Sequence, residues 1–402
     1  MRKRLLLALE RRGRTVHPCA MNETPSTCDI LVIGGGIAGA SAAAELAQGG
    51  AKVMLAEMES QPGYHTTGRS AATFVASYGN DVIRALNAAS RPFFDSPPGG
   101  FSEYPLLAPR GALFVADADH VAELEAAIAD PANGGLLERL DPAAALELSP
   151  AVKPEVVALA AWEPAASDID VNALLQGYLR RFRDAGGWLR TGMRITGMLR
   201  RAGAWTVDTT AGTVSAATIV NAAGGWADEI ADLAGTSAIG LVPKRRTALT
   251  IDPGRDIARW PLTISADESW YFRPEGGDLL ISPADETPSP PCDAQPDEMD
   301  VAVCIDRIQQ VTDMTVTRLV SKRAGLRSFV FDKSPVAGFA DDVDGFFWLA
   351  GQGGYGIQTA PALAAFTKGL IMDGAAPPEI MDRGLTDEAL SPGRLRGEAE
   401  YL

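Results

Sequence analysis

Gly34, Gly36 and Gly39 form the pattern GxGxxG, directly after the apolar run DILVI and at the start of an alanine-rich stretch. That context gives the pattern its weight. The first glycine permits a tight turn, the second lets backbone approach a pyrophosphate, and the third lets the helix pack closely on the strand. Unpaired amides and the positive dipole end at the helix start then attract the phosphates. Glu57 closes the next apolar run, 23 residues past Gly34, near the spacing of about 20 expected of a carboxylate that takes ribose hydroxyls. A dinucleotide site is the chemistry these residues specify. A second GxGxxG, with Gly351, Gly353 and Gly356, also opens a helix, but the following DGAAPPEIMDRG offers no second apolar strand. It reads as a helix N-terminus aimed at another part of the same ligand.

The elements that must position these glycines are legible as periodicity. Asp29 to Glu57 reads strand, turn, helix, Gly49-Gly50 stop and strand, a βαβ unit. Residues 97–111, rich in Pro and Gly, mark a change of regime. Beyond them, ALFVAD, HVAELEAAIA and VVALAAWEP read as strand, amphipathic helix and strand. Val171, Leu174, Leu175, Tyr178, Leu179 and Phe182 recur at helical spacing. TIVNAAGGWADEIADLA then repeats the strand, glycine turn and helix order. TALTID, WPLTISA, WYFRP and DLLIS predict an antiparallel sheet, and DGFFWLAGQGGYGIQTAPALAAFTKGLI predicts a third strand, glycine turn and helix. Three such junctions, far apart in the chain, predict one nucleotide-binding domain assembled from separated segments.

Composition narrows the function class. Among 402 residues, 51 acidic against 36 basic side chains give a net charge of −15, which argues against a general nucleic-acid binder. With 46% hydrophobic and 22% charged residues the chain has a globular composition. No apolar run approaches the roughly 18 residues of a membrane span. The cysteines Cys19, Cys28, Cys292 and Cys304 show no CxxC pairing, which fits reduced thiols and a cytoplasmic location, with attachment to the inner face of a membrane as the alternative. No His/Cys/Asp cluster has metal-ligand spacing, so no metal is expected. At the N-terminus the apolar stretch Leu5–Leu9 is too short for a secretory core, and Met21 is a candidate start.

Together with HTTGRSAA at 65–72, NAAGGWAD at 221–228, PKRR at 243–246, AGLRSF at 324–329 and GQGGYGIQT at 351–359, the fingerprint resembles the FAD-dependent D-amino acid oxidase/dehydrogenase superfamily, and within it the bacterial D-arginine dehydrogenase branch. The resemblance implies an α/β (α+β) fold with two domains. A Rossmann-like FAD-binding domain would comprise residues 27–97, 166–235 and 331–402. A substrate domain with a mixed, largely antiparallel sheet would comprise 98–165 and 236–330, and residues 1–26 would be a flexible extension. FAD is expected to be non-covalent. By this resemblance Gly34, Gly36, Gly39 and Glu57 hold the ADP portion, while Thr67, Arg69, Ser70 and Ala71 approach the flavin and pyrophosphate. Ile195 touches the adenine side, Ala223, Gly224 and Trp226 close over the cofactor, and Gly353, Gly354, Gly356 and Ile357 surround the pyrimidine end of the ring.

For the substrate, the resemblance puts Arg246 and Arg327 on an amino-acid carboxylate, with Tyr271 donating a further hydrogen bond. A planar guanidinium grips a carboxylate in a fork and so fixes the Cα–H against flavin N5. Tyr78 resembles a lid tyrosine. Gly354 and Gln358 match positions that meet the substrate amine and side chain. The arginine-specific relatives have a glutamate where Ala112 stands, a histidine where Thr73 stands and a threonine where Val75 stands. With Leu262 and Ile264 also lining it, the side-chain pocket is expected to prefer neutral or hydrophobic D-amino acids over D-arginine, because a buried cation without a carboxylate is costly.

His17, His65 and His120 are the histidines of the chain, and none is a convincing general base. None is needed if the amine binds neutral and hydride passes from Cα to flavin N5, giving an imino acid that water converts to a 2-oxo acid and ammonia. The acceptor that reoxidises the flavin, oxygen or a quinone, is left open. Two alternatives remain: oxidation of secondary amines such as sarcosine or opine-like N-substituted amino acids, and a non-catalytic flavin-binding or electron-transfer subunit.

Overall fold

The structure, a computed structural model, describes residues 26–396. The expected extension over residues 1–26, with Met21, His17 and Cys19, lies outside the described residues but for Ser26. Thr27–Ile33 runs parallel to both Val53–Ala56 and Gly212–Asn221. A strand flanked on both sides within a parallel array, and covered on both faces, is apolar almost throughout, which is why Ile30, Leu31, Val32 and Ile33 are all buried. The eight-stranded sheet has the path Ile195–Arg201, Ala204–Thr209, Gly212–Asn221, Thr27–Ile33, Val53–Ala56, Trp188–Arg190. Phe346–Ala350 joins it parallel to Gly212–Asn221, and Val336–Phe339 pairs antiparallel with Phe346–Ala350.

Helix Ile37–Gln48 packs against both Val171–Asp184 and Gly356–Lys368 on one face of this sheet. Ala40, Ala42, Ala43 and Ala44 are fully buried there, because small side chains let the first helix lie close to its neighbours. The opposite face carries Ala227–Ala234 together with Trp205 and Trp348.

A second, nine-stranded sheet is mixed and largely antiparallel. Its parallel pairing among the described residues is Leu262–Ser265 on Ala112–Ala116. Its longest strands, Val242–Ile251 and Leu319–Phe329, run antiparallel with Lys244 opposite Arg327 and Arg246 opposite Gly325. Arg246 and Arg327 are therefore diagonal neighbours on one face of the sheet, the spacing at which long side chains meet. A small third sheet joins Thr73–Phe74, Ser167–Ile169 and Leu107–Pro109. Among the described residues no helix is long and apolar enough to cross a membrane.

Candidate active site

One continuous cavity runs from the glycine turn at Gly34 to the arginine-bearing face of the second sheet. At the first end, Gly34 has φ +107°, and a Cβ there would lie 2.3 Å from the carbonyl oxygen of Ala222. Only glycine fits both constraints. Gly39 does not line the cavity. A Cβ on it would lie 1.9 Å from the Gly34 carbonyl oxygen, so it lets the helix close onto the turn. The Glu57 carboxylate is buried and accepts the amides of Gly35 at 2.7 Å and Glu59 at 2.8 Å, which orients it at the cavity wall. Thr67 accepts the Ile37 amide at 3.0 Å and so satisfies one first-turn donor of the glycine-rich helix.

Ile195, Ala223, Gly224 and Trp226 line the same end. His65, which the sequence suggests as a structural or cofactor-side residue and not a catalytic one, lines the cavity with its ring centroid 4.7 Å from that of Trp226. Its Nε2 lies 2.9 Å from Glu59 Oε1, while its buried Nδ1 has no partner among the described residues. Gln352 Nε2, on another lining residue, is likewise buried and without a partner among the described residues. A glycine cradle, an oriented carboxylate and two unsatisfied polar atoms fit a large polar dinucleotide.

Farther along, Ser70, Ala71, Gly353, Gly354, Gly356 and Ile357 line the cavity. Arg69 reaches the lining but spends its guanidinium elsewhere. It pairs with Asp293 and donates to the carbonyls of Ala294 at 2.8 Å and Ala324 at 3.1 Å. The neighbouring Thr66 hydroxyl donates to the Leu326 carbonyl at 2.7 Å, so this loop is fastened to the strand that carries Arg327.

At the second end, Arg327, Arg246, Tyr271, Tyr78, Leu262 and Ile264 converge on the cavity with Phe114 and Trp270. Among the described residues Arg327 makes no ion pair. Burial works against its charge, but the hydroxyls of Tyr78, Tyr271 and Tyr355 more than offset this and hold its pKa above the usual value. Arg246 is differently placed: its Nε donates to the Asp285 carbonyl at 2.8 Å and its Nη2 lies 3.3 Å from Glu286. Burial raises the Tyr78 hydroxyl pKa, with Arg327 and Arg246 pulling it down and Glu268 pushing it up. That hydroxyl donates to Glu268 at 3.1 Å, and the Tyr78 ring lies 5.0 Å from that of Tyr355.

The side-chain pocket departs from expectation in four places. Ala112 is 1% exposed and packs behind Val75, Leu262 and Tyr271 instead of lining the cavity. Thr73 lines it but gives its hydroxyl oxygen to Arg273 at 3.0 Å, and Arg273 pairs with Asp168. Gln358 lines it but its amide is consumed: Oε1 accepts the Val75 amide and Nε2 donates to Asn87 at 2.8 Å. Glu268 brings a carboxylate to the lining that sequence reasoning missed. It sits in a turn at φ +54°, rare for a non-glycine residue, and no sequence pattern marks it.

This fold and cavity are those of a flavin-dependent oxidoreductase. Residues 29–368 match the family model described as DAO, FAD dependent oxidoreductase, and the chain belongs to that family. It is 28% identical over 189 residues to FAD-dependent oxidoreductase domain-containing protein 1 of Xenopus laevis, spanning 36% of that relative's length. Among solved structures it resembles L-proline dehydrogenase from P. horikoshii, with a TM-score of 0.82 at 22% identity, covering 94% of this chain and 100% of that one. Glycine oxidase from Geobacillus kaustophilus gives a TM-score of 0.75 at 21% identity, with 86% and 95% covered.

Proposed function

We propose that this protein oxidises D-amino acids with neutral or hydrophobic side chains, giving imino acids that hydrolyse to 2-oxo acids and ammonia. FAD, held non-covalently, would supply the two-electron acceptor. The observation that carries the reading is the Arg327 guanidinium, set in the cavity wall beside Tyr78 and Tyr271 with no carboxylate among the described residues paired to it. A desolvated guanidinium without an anion favours one from the ligand, and a carboxylate fits its fork.

Arg246 assists at shorter reach, since Asp285 and Glu286 already hold its Nε and Nη2. Tyr271, on the strand beside Leu262–Ser265, offers a hydroxyl to the same carboxylate. Val75, Leu262, Ile264, Phe114 and Trp270 give the side chain an apolar wall, while Glu268 is turned to the Tyr78 hydroxyl. Oxidation of secondary amines is the second reading, favoured by the structural likeness to a protein named L-proline dehydrogenase, since proline is itself a secondary amine.

Anaerobic mixing with D- and L-amino acids and their N-methyl counterparts, followed by oxygen or a quinone, tests both readings. Bleaching of the flavin by D-leucine, D-methionine or D-phenylalanine ahead of D-arginine supports the first. Bleaching by N-methyl or cyclic substrates alone selects the second, and no bleaching by any amine leaves a flavin-binding subunit. The reoxidation step separates oxidase from dehydrogenase.

A further inference from the structure

The chain from Val75 to Tyr78 is irregular, yet its backbone polar groups are met by buried side chains from the helix that follows it and from two distant parts of the protein. Gln358 Oε1 accepts the Val75 amide at 3.2 Å. Asn87 Nδ2 reaches the carbonyls of Val75, Ala76 and Tyr78 at 3.3 to 3.4 Å. Glu163, at the end of strand Leu159–Glu163, accepts the amides of Ala76 at 2.7 Å and Ser77 at 3.2 Å and the Ser77 hydroxyl at 2.5 Å. The Tyr78 amide closes back on the Val75 carbonyl at 3.3 Å. Gly79 then turns the chain at φ +97°, where a Cβ would lie 2.6 Å from Ile83 Cγ2.

Glu163 is the unusual member of this set. It is 1% exposed and makes no ion pair among the described residues. Burial raises its pKa, opposed by the hydrogen bonds from Ser77 and Ala76. A carboxylate accepts only, whereas a glutamine would turn donors toward one of these amides. Three convergent donors therefore define one course of the chain at Ala76 and Ser77, and the next residue is Tyr78.

We propose that Glu163 is a positioning residue for the substrate: through the Ala76 and Ser77 amides it fixes Tyr78 beside Arg327 and so sets affinity for the substrate carboxylate. This rests on the reading of Arg327 as the carboxylate site. The loop is accordingly a braced wall whose tyrosine is aimed from the second sheet, and not a free flap.

The test compares holoenzyme with Glu163→Gln, Ser77→Ala, Tyr78→Phe and the Glu163→Gln/Tyr78→Phe double variant. Titration with benzoate, read by flavin absorbance, should show Kd raised about tenfold in Glu163→Gln. KM should rise likewise, with kcat within about twofold, the pattern of lost ground-state binding. Ser77→Ala should shift both in the same direction by less, and it serves where Glu163→Gln folds poorly. In the Tyr78→Phe background Glu163→Gln should add little, since the two act in series. Hydrogen exchange at residues 75–79 should quicken in Glu163→Gln. Unchanged exchange there, or effects of Glu163→Gln and Tyr78→Phe that simply add, overturns the proposal. If no amine reduces the wild-type flavin, the substrate reading fails, while exchange still decides what Glu163 holds.

Discussion

A Cβ built on Gly354 would lie 2.8 Å from Arg327 Nη1 and 2.9 Å from its Cζ, so the guanidinium rests directly on bare backbone. Arg327 comes from strand Leu319–Phe329 and Gly354 from the turn before helix Gly356–Lys368. The glycine-rich turn thus seats the arginine proposed to meet the substrate carboxylate, in the wall of the same cavity. Gly354→Ala must push the guanidinium aside, and overpacking of this kind costs about 1–3 kcal/mol. The expected outcome is a rise of about tenfold or more in KM for the amino acid. The bound flavin spectrum should change little. An unchanged KM would show that Arg327 is free to move.

Arg327 and Arg246 should separate on substitution. Truncating a buried charge that meets an opposite charge costs about 2–5 kcal/mol, so Arg327→Met should lower kcat/KM by about a hundredfold or more with flavin still bound. Arg246→Met should cost less in substrate affinity, because Asp285 and Glu286 already hold its Nε and Nη2. It should cost more in stability, because Glu286 then loses one of its cations. Steady-state kinetics and thermal melts on both variants give the comparison. A larger kinetic loss in Arg246→Met would reverse the assignment.

Some of this was legible in the sequence, and the reason lies in separation along the chain. The turn at Gly34 and the Glu57 carboxylate belong to one local unit, so spacing alone suffices to join them. Arg69 and Gln358 carry the right chemistry for a ligand, but their partners lie 224 and 283 residues away, at Asp293 and Val75. No periodicity encodes that pairing. Ala112 was misjudged because a small apolar residue in a strand reads the same whether it faces a cavity or packs behind it. Glu268 escaped notice because its approach to the cavity depends on one unusual backbone angle.

The acid response of one surface tie can be derived with its sign. Burial pushes the Asp342 carboxyl up, but hydrogen bonds from the Ser237 amide and the Thr236 and Ser237 side chains outweigh it and lower its pKa from 3.8 to about 2. A carboxyl depressed in the folded state contributes stability above its unfolded pKa and loses it as pH falls through the folded one. Asp342→Asn should therefore lower the urea midpoint at pH 6, and the gap to wild type should narrow steadily between about pH 4 and pH 2. A gap that stays constant over that window would mean the carboxylate charge plays no part.

Glu57 should govern cofactor retention more than the proposed ribose contact alone would suggest. Its two oxygens separately accept the amides of Gly35 and Glu59, so it braces the glycine turn as well as presenting acceptors to the cavity. Each hydrogen bond to a charged group contributes about 1.5–3 kcal/mol. Glu57→Gln retains one oxygen acceptor but sets an amide donor against one of the N–H groups. Weakening of FAD binding by about tenfold to a hundredfold is expected, measured as recovery of flavin fluorescence on dilution. Thr67→Val, which removes only the acceptor for the Ile37 amide, should weaken it less. That amide would be left free to turn toward a phosphate, whereas the Gly35 amide would face an intruding donor. If Thr67→Val proves the more damaging, the helix start and not the carboxylate is the main determinant of FAD affinity.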